Sequence, residues 1–206
     1  MFNPGLPRIY LASRSPRRRA LLRQIGVPFD SIVFRDPGRG EGEVDETPHA
    51  GEIPSAYVER IARAKAEHGW QIIDLRKLQP QPVLAADTTI ELAGDIIGKP
   101  RDSDDACDIL RRLSGRTHRV LTAVAVTLDG RVEALLSDSE VRFGVLDEGE
   151  IWRYVTSGEP MDKAGAYGIQ GRAGAFVEHL CGSYSGVMGL PLFETSVLLK
   201  RFEHPL

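Results

Sequence analysis

The chain has 206 residues, of which 42% are hydrophobic and 27% charged, which fits one folded domain spanning 1–206 and argues against global disorder. Its net charge of −3 gives no support to a nucleic-acid partner recognised by bulk charge, so any affinity for phosphate must come from a local cluster. Two distant cysteines, Cys107 and Cys181, form no CxxC pattern and argue against a disulfide framework or zinc ribbon; they read as reduced, half-buried thiols.

The first segment, MFNPGLPRIYLAS, lacks the basic region and apolar stretch of a signal peptide. No apolar run approaches the roughly 18 residues of a membrane span, so the cytoplasm is the expected compartment. Ile9–Ala12 reads as a first strand. Ser15 and Pro16 then suit the N-cap and first position of a helix that stops near Gly26. Phe29–Phe34 reads as a second strand. The glycine- and acid-rich stretch Arg35–Ile53 reads as a long loop, and Pro54 opens a long helix with Tyr57, Ile61 and Ala64 on one face.

Val83–Ala86 is an apolar strand expected to end at Asp87. Thr89–Leu92 and Asp95–Ile97 suggest a hairpin around Ala93-Gly94. Asp102 or Ser103 is positioned to cap a helix carrying Ala106, Ile109, Leu110 and Leu113 at helical spacing. Val120–Leu128 and Arg131–Val145 flank the hairpin signal Asp129-Gly130. Asp147 and Glu150 form a capping box for a short helix ending near Gly158. Ala164–Val177 reads as loop and strand, and Pro191 starts a final helix to about Phe202. Interleaved helices and strands with two hairpins predict an α/β fold with a mixed sheet.

Ser13-Arg14-Ser15-Pro16-Arg17-Arg18-Arg19 places four arginines in six positions at a helix start. The helix dipole disfavours cations there by about 0.3–1 kcal/mol each. The arrangement is explained if an anion such as a polyphosphate sits between the arginines and the free N–H groups. The competing reading is a solvated basic helix start. The loop is not a P-loop, because G-x-x-x-x-G-K-[ST] is absent.

Asp87 follows an apolar strand, where a carboxylate is costly unless it meets a cation, metal or substrate water. Its bland reading is a capping acid. Lys99, in Gly98-Lys99-Pro100, could face the same cleft. Lys65, among small neighbours, and Glu46, in the acidic loop, each read more simply as solvated charges. Gln170 lies in the glycine-dense stretch Gly158–Gly171; its amide offers a donor and an acceptor together, matching the O4 and N3–H of uracil or thymine. Tyr184 occupies the middle of Gly182–Gly186 where a nucleophile elbow needs serine, so a serine hydrolase is disfavoured.

Taken in order, these segments resemble the Maf family of nucleoside triphosphate pyrophosphatases. The matching pieces are Leu11-Ala12-Ser13-x-Ser15-Pro16-Arg17-Arg18, Val44-Asp45-Glu46, Tyr57–Ala66, Ala86-Asp87-Thr88, Gly98-Lys99-Pro100, Gly158–Gly171, Gly182-Ser183-Tyr184 and Gly189-Leu190-Pro191-Leu192. Asp162–Gly171 resembles the branch acting on dTTP and UTP. The resemblance implies an elongated mixed sheet flanked by helices, two lobes around a central nucleotide cleft, and often a homodimer. It implies hydrolysis of dTTP and UTP, with modified pyrimidine nucleotides as an open extension, to the monophosphate and pyrophosphate.

It further implies Asp87 as proton acceptor and Arg17, Arg18, Lys65 and Lys99 as partners of the triphosphate. Ser13 would seat a phosphate, and Arg17, Thr88 and Gln170 would bear on base choice. A divalent cation, Mg²⁺ or Mn²⁺, would be held by Asp87 and Glu46, and Glu46 would assist catalysis through the metal or the water. Position 14 departs from the pattern in being arginine, and Asp36–Gly42 is longer and richer in glycine than usual. The rival expectation is a nucleotide-binding regulator of septum formation without turnover. A third is a cleanser of noncanonical purine nucleotides, which Gln170 opposes.

Overall fold

The computed structural model describes residues 7–32, 34, 42 and 44–204. Most of the glycine-rich stretch 36–42, and position 33 of the second expected strand, therefore fall outside the described residues. Seven strands form one mixed sheet: β1 (Ile9–Leu11), β2 (Phe29–Ser31), β3 (Val83–Leu92), β4 (Asp95–Ile97), β5 (Thr117–Leu128), β6 (Arg131–Phe143) and β7 (Val177–Cys181). The order is β2-β1-β3-β5-β6-β7, with β4 also paired to β3. β1 runs parallel to both β2 and β3, and the remaining pairs are antiparallel. The expected α/β fold with a mixed sheet is what forms.

The helices are α1 (Pro16–Gln24), α2 (Pro54–Leu75), α3 (Ser103–Leu113), α4 (Glu148–Val155), α5 (Tyr184–Val187) and α6 (Leu192–Arg201). Their starts follow local chemistry. The Ser15 side chain accepts from Arg18 N, Asp102 caps α3, and Asp147 with Glu150 completes the capping box of α4. Side chains alternate along the central strands, so each strand feeds both faces. Val83, Ala85, Leu121, Ala123 and Ala125 pack against α2. Leu84, Ala86, Val124 and Val126 pack with residues of α1 and α6. Ile90, Leu92 and Phe143 join α3 and α4 in a third apolar cluster.

Four expectations change. Asp87 lies in the middle of β3, because β5 pairs continuously from Val83 to Glu91 and carries the strand past the acid. The second strand closes at Ser31. Ala164–Val177 consists largely of 3₁₀ turns, Ala164–Ala166 and Arg172–Phe176, before β7 begins at Val177. Glycine at 165 with φ of +70° is one cause of the break, since an extended strand cannot continue through a left-handed residue. The thiols also differ from expectation, with Cys107 buried and Cys181 exposed. Among the described residues, no helix is long and apolar enough to cross a membrane.

One edge of β3 positions the site. On that edge β1 covers only Val83 and Leu84, and β4 covers only Ile90 to Leu92. Ala85–Thr89 therefore have β5 on one side and no strand partner on the other among the described residues. A switch in strand direction, parallel β1 against antiparallel β4, flanks this gap, the kind of place where α/β sheets open a crevice.

Candidate active site

A cavity of about 470 Å³ opens at the gap, a size suited to a small organic ligand. Ser13 to Arg18, Lys65, Asp87, Thr88, Lys99 and Gln170 line it, as does Glu46. The residues to which the family resemblance gave a role thus all reach one space. Asp87 and Thr88 arrive there from opposite faces of β3. Asp87 shares the parity of Val83 and Ala85 and points to α2, where Lys65 waits; Thr88 shares the parity of Leu84 and Ala86 and points to α1.

Lys65 Nζ lies 2.7 Å from Asp87 Oδ1 and 2.5 Å from Glu46 Oε1. The lysine is largely buried and thus bridges two acids that are 41 residues apart in sequence. Lys99 Nζ stands 3.9 Å from Glu46 Oε2 and is more exposed. Burial pushes the Glu46 carboxyl up, but Lys65, Lys99 and Arg18 together outweigh it and hold the group below the ordinary glutamate range. The Tyr57 hydroxyl donates to the Glu46 carbonyl at 2.9 Å and so ties the acidic loop to α2. Burial, with the negative charges of Asp87 and Glu46, pushes Tyr57 up to about 12, so it serves as a neutral donor.

On the α1 side, the first turn of the helix carries arginines and no acid of its own. Arg18 Nε donates to the Gly189 carbonyl at 2.7 Å, its Nη1 lies 3.5 Å from Ser13 Oγ, and its Nη2 lies 3.4 Å from Thr88 Oγ1. Burial pulls the Arg18 guanidinium below the ordinary arginine value; Asp87 opposes that and Arg17 adds to it. Such a cation gains when an anion enters. Arg17 lies 3.7 Å from the Asp162 carboxylate across the cavity. Arg14, the unusual residue of the motif, is exposed and donates to the Phe34 carbonyl at 2.7 Å.

Gln170 lies exposed at the cavity wall, so its amide is desolvated only when a ligand covers it. The segment around it is pinned from behind. Glu159 accepts from Tyr154 Oη at 3.2 Å and from Arg172 N at 3.3 Å, and Gly168 N donates to Tyr154 Oη at 3.3 Å. Gly165 N donates to the Gly98 carbonyl at 2.9 Å, joining this segment to the arm that carries Lys99. Tyr167, on the cavity wall, makes a 2.8 Å hydrogen bond to buried His118.

Asp87 and Glu46 can serve as the oxygen ligands of a divalent cation. Magnesium is commonly held by one or two carboxylates together with substrate phosphates. The contact with Lys65 uses one oxygen of each acid. No group of three or more His, Cys, Asp or Glu suited to a metal occurs among the described residues, so a cation here would rely on phosphate oxygens as well.

Sequence reasoning missed four supports: Tyr57 as the tether of Glu46, Gly189 as the acceptor for Arg18, Glu159 beneath Gln170, and Thr122 behind Thr88. Thr122 carried one signal, a polar residue inside the apolar run Val120–Val126.

A family model described as Maf-like protein matches residues 8–202. The chain is 66% identical over 194 residues to the dTTP/UTP pyrophosphatase of Dechloromonas aromatica, covering 94% of this chain and 96% of that protein. It is 62% identical over 204 residues to the dTTP/UTP pyrophosphatase of Aromatoleum aromaticum, covering 98% and 99%. Among solved structures, the Ham1 protein of Staphylococcus aureus is similar with a TM-score of 0.48 and 14% identity, over 96% of this chain and 98% of that one.

Proposed function

The chain belongs to the Maf family, and from that premise we propose that it hydrolyses dTTP and UTP to the nucleoside monophosphate and pyrophosphate. The observation that carries the reading is the meeting of Arg17, Arg18, Lys65 and Lys99 with Asp87 in one cavity beside Gln170. Four cations and one carboxylate supply what phosphoryl transfer needs, which is positioning and neutralisation of charge more than covalent chemistry.

In this reading the triphosphate lies against the start of α1. Arg17 and Arg18 hold its oxygens, with Ser13 completing the seat. Asp87 orients the attacking water toward the α-phosphorus and accepts its proton. Lys65 holds the Asp87 carboxylate in place and, with Lys99, offsets the negative charge that builds on the phosphoryl oxygens. Glu46 fixes Lys65 from its other side. A divalent cation, Mg²⁺ or Mn²⁺, bound by Asp87 and Glu46 with the phosphates, would supply further charge neutralisation. Gln170 reads the O4 and N3–H of the pyrimidine, with Arg17 and Thr88 shaping the same choice.

A panel of nucleoside triphosphates assayed with separate detection of phosphate and pyrophosphate tests this. Release of pyrophosphate from dTTP and UTP is expected. Release of orthophosphate from dTTP would sink the mechanism, and tight binding without turnover would favour a nucleotide-binding regulator instead. An Asp87→Asn variant with full activity would remove the catalytic assignment.

A further inference from the structure

Arg18 belongs to a closed circuit of hydrogen bonds. Its Nε donates to the Gly189 carbonyl, and Gly189 N donates to the Gly186 carbonyl at 2.8 Å. The Gly186 carbonyl also accepts from Thr122 Oγ1 at 2.8 Å. Thr122 Oγ1 lies 3.0 Å from Thr88 Oγ1 across the paired strands β3 and β5, and Thr88 Oγ1 lies 3.4 Å from Arg18 Nη2. The guanidinium is thus tied to the α5 turn twice, once directly and once through two threonines.

Only one arrangement of protons satisfies this circuit. A carbonyl oxygen can only accept and a guanidinium can only donate, whereas a hydroxyl has a single proton to give. The Thr122 proton is committed to the Gly186 carbonyl. Thr88 must then donate to Thr122, and its oxygen is left to accept from Arg18. Thr122 itself is fully buried and is not part of the cavity wall.

We propose that Thr122 is a positioning residue: it fixes the Thr88 hydroxyl as an acceptor toward the cavity and thereby orients Arg18 for the phosphate tail. The inference rests on the pyrophosphatase reading for its substrate. Its direct probe is inorganic pyrophosphate, which needs only the phosphate seat.

The test compares the full chain with Thr122→Val, Thr122→Ser and Thr122→Ala. Valine keeps the shape of threonine without the hydroxyl. Serine and alanine both lose the methyl group and differ from each other by the hydroxyl. Pyrophosphate affinity is measured by calorimetric titration, and KM and kcat are measured for dTTP. Expected is a loss of about tenfold in pyrophosphate affinity for the valine and alanine variants, with KM rising more than kcat falls and serine close to wild type. Equal pyrophosphate affinity within each pair, threonine with valine and serine with alanine, overturns the proposal, even where melting temperatures drop. Should the valine variant fail to fold, the serine–alanine pair makes the same comparison. A wild-type chain that leaves dTTP intact but whose pyrophosphate affinity follows the Thr122 hydroxyl supports this proposal while sinking the substrate reading.

Discussion

Lys65 Nζ sits between Asp87 Oδ1 at 2.7 Å and Glu46 Oε1 at 2.5 Å, so one buried ammonium sets the spacing of both site carboxylates. Removing it leaves two acids facing each other with less to neutralise them and, in the proposed reaction, removes a cation from the reacting phosphate.

Lys65→Ala is expected to lower kcat on dTTP by about 10²–10³, the scale seen when one well-placed electrostatic group is lost. Lys65→Arg should recover little, because a planar fork cannot replace a compact point charge between two acids. Steady-state kinetics on both variants check this; an arginine variant near wild type would contradict the bridging role.

His118 is buried against Tyr167 and Phe143, and its Nδ1 has no hydrogen-bond partner among the described residues. Burial pushes its pKa down to about 4 from 6.5. The unfolded chain therefore takes up a proton first as pH falls. The sign follows: stability present above pH 6.5 is lost progressively between 6.5 and 4, by up to roughly 3 kcal/mol at 1.36 kcal/mol per unit. His118→Gln, which can still bond Tyr167 but does not titrate, should flatten that stretch of a stability-against-pH curve from denaturant melts. An unchanged slope would place the dependence elsewhere.

A Cβ at position 171 would run into the Glu159 carboxylate, which is itself held by Tyr154 and Arg172 N. Gly171→Ala should therefore displace the segment bearing Gln170. The expected outcome is a several-fold drop in kcat/KM for UTP and a smaller preference for UTP over CTP, with little change in melting temperature. Loss of activity on all nucleotides in equal proportion would count against Gln170 as the base reader.

Gly165 has φ of +70°, and a Cβ there would lie 2.5 Å from Ile90 Cγ1. Gly165→Ala meets both backbone strain and overpacking, so a loss of about 2 kcal/mol or more is expected in urea denaturation. Ile90→Ala, which removes the clashing Cγ1, should cost less in the Gly165→Ala chain than in the wild type.

The helices were legible because their signals are local. Ser15-Pro16, Asp102 and the Asp147–Glu150 box each lie within a turn of the backbone groups they satisfy. The hairpin at Asp129-Gly130 was legible for the same reason. Asp87 was placed at a strand end because an acid in a central strand contradicts local pattern; what keeps β3 going is its pairing with β5, in which Asp87 itself meets Ala123, far away in sequence. The residues proposed for the site line one cavity, and each could be singled out because it sits beside a short run of distinctive neighbours. Thr122, Tyr57 and Glu159 escaped because their roles are defined by contacts with Thr88, the Glu46 carbonyl and Arg172 N, none of which a local motif announces.

The uncovered edge of β3 also acts as a ruler. Five residues, Ala85–Thr89, span about 16 Å at the usual rise of a strand. The α1 loop stands at one end of that interval, while β4 leads into Lys99 and its link to the Gly165 segment at the other. The length of the uncovered interval is thus set by where two short strands stop. Lengthening β1 by one paired residue at its end would shorten the measure without touching any of the charged groups.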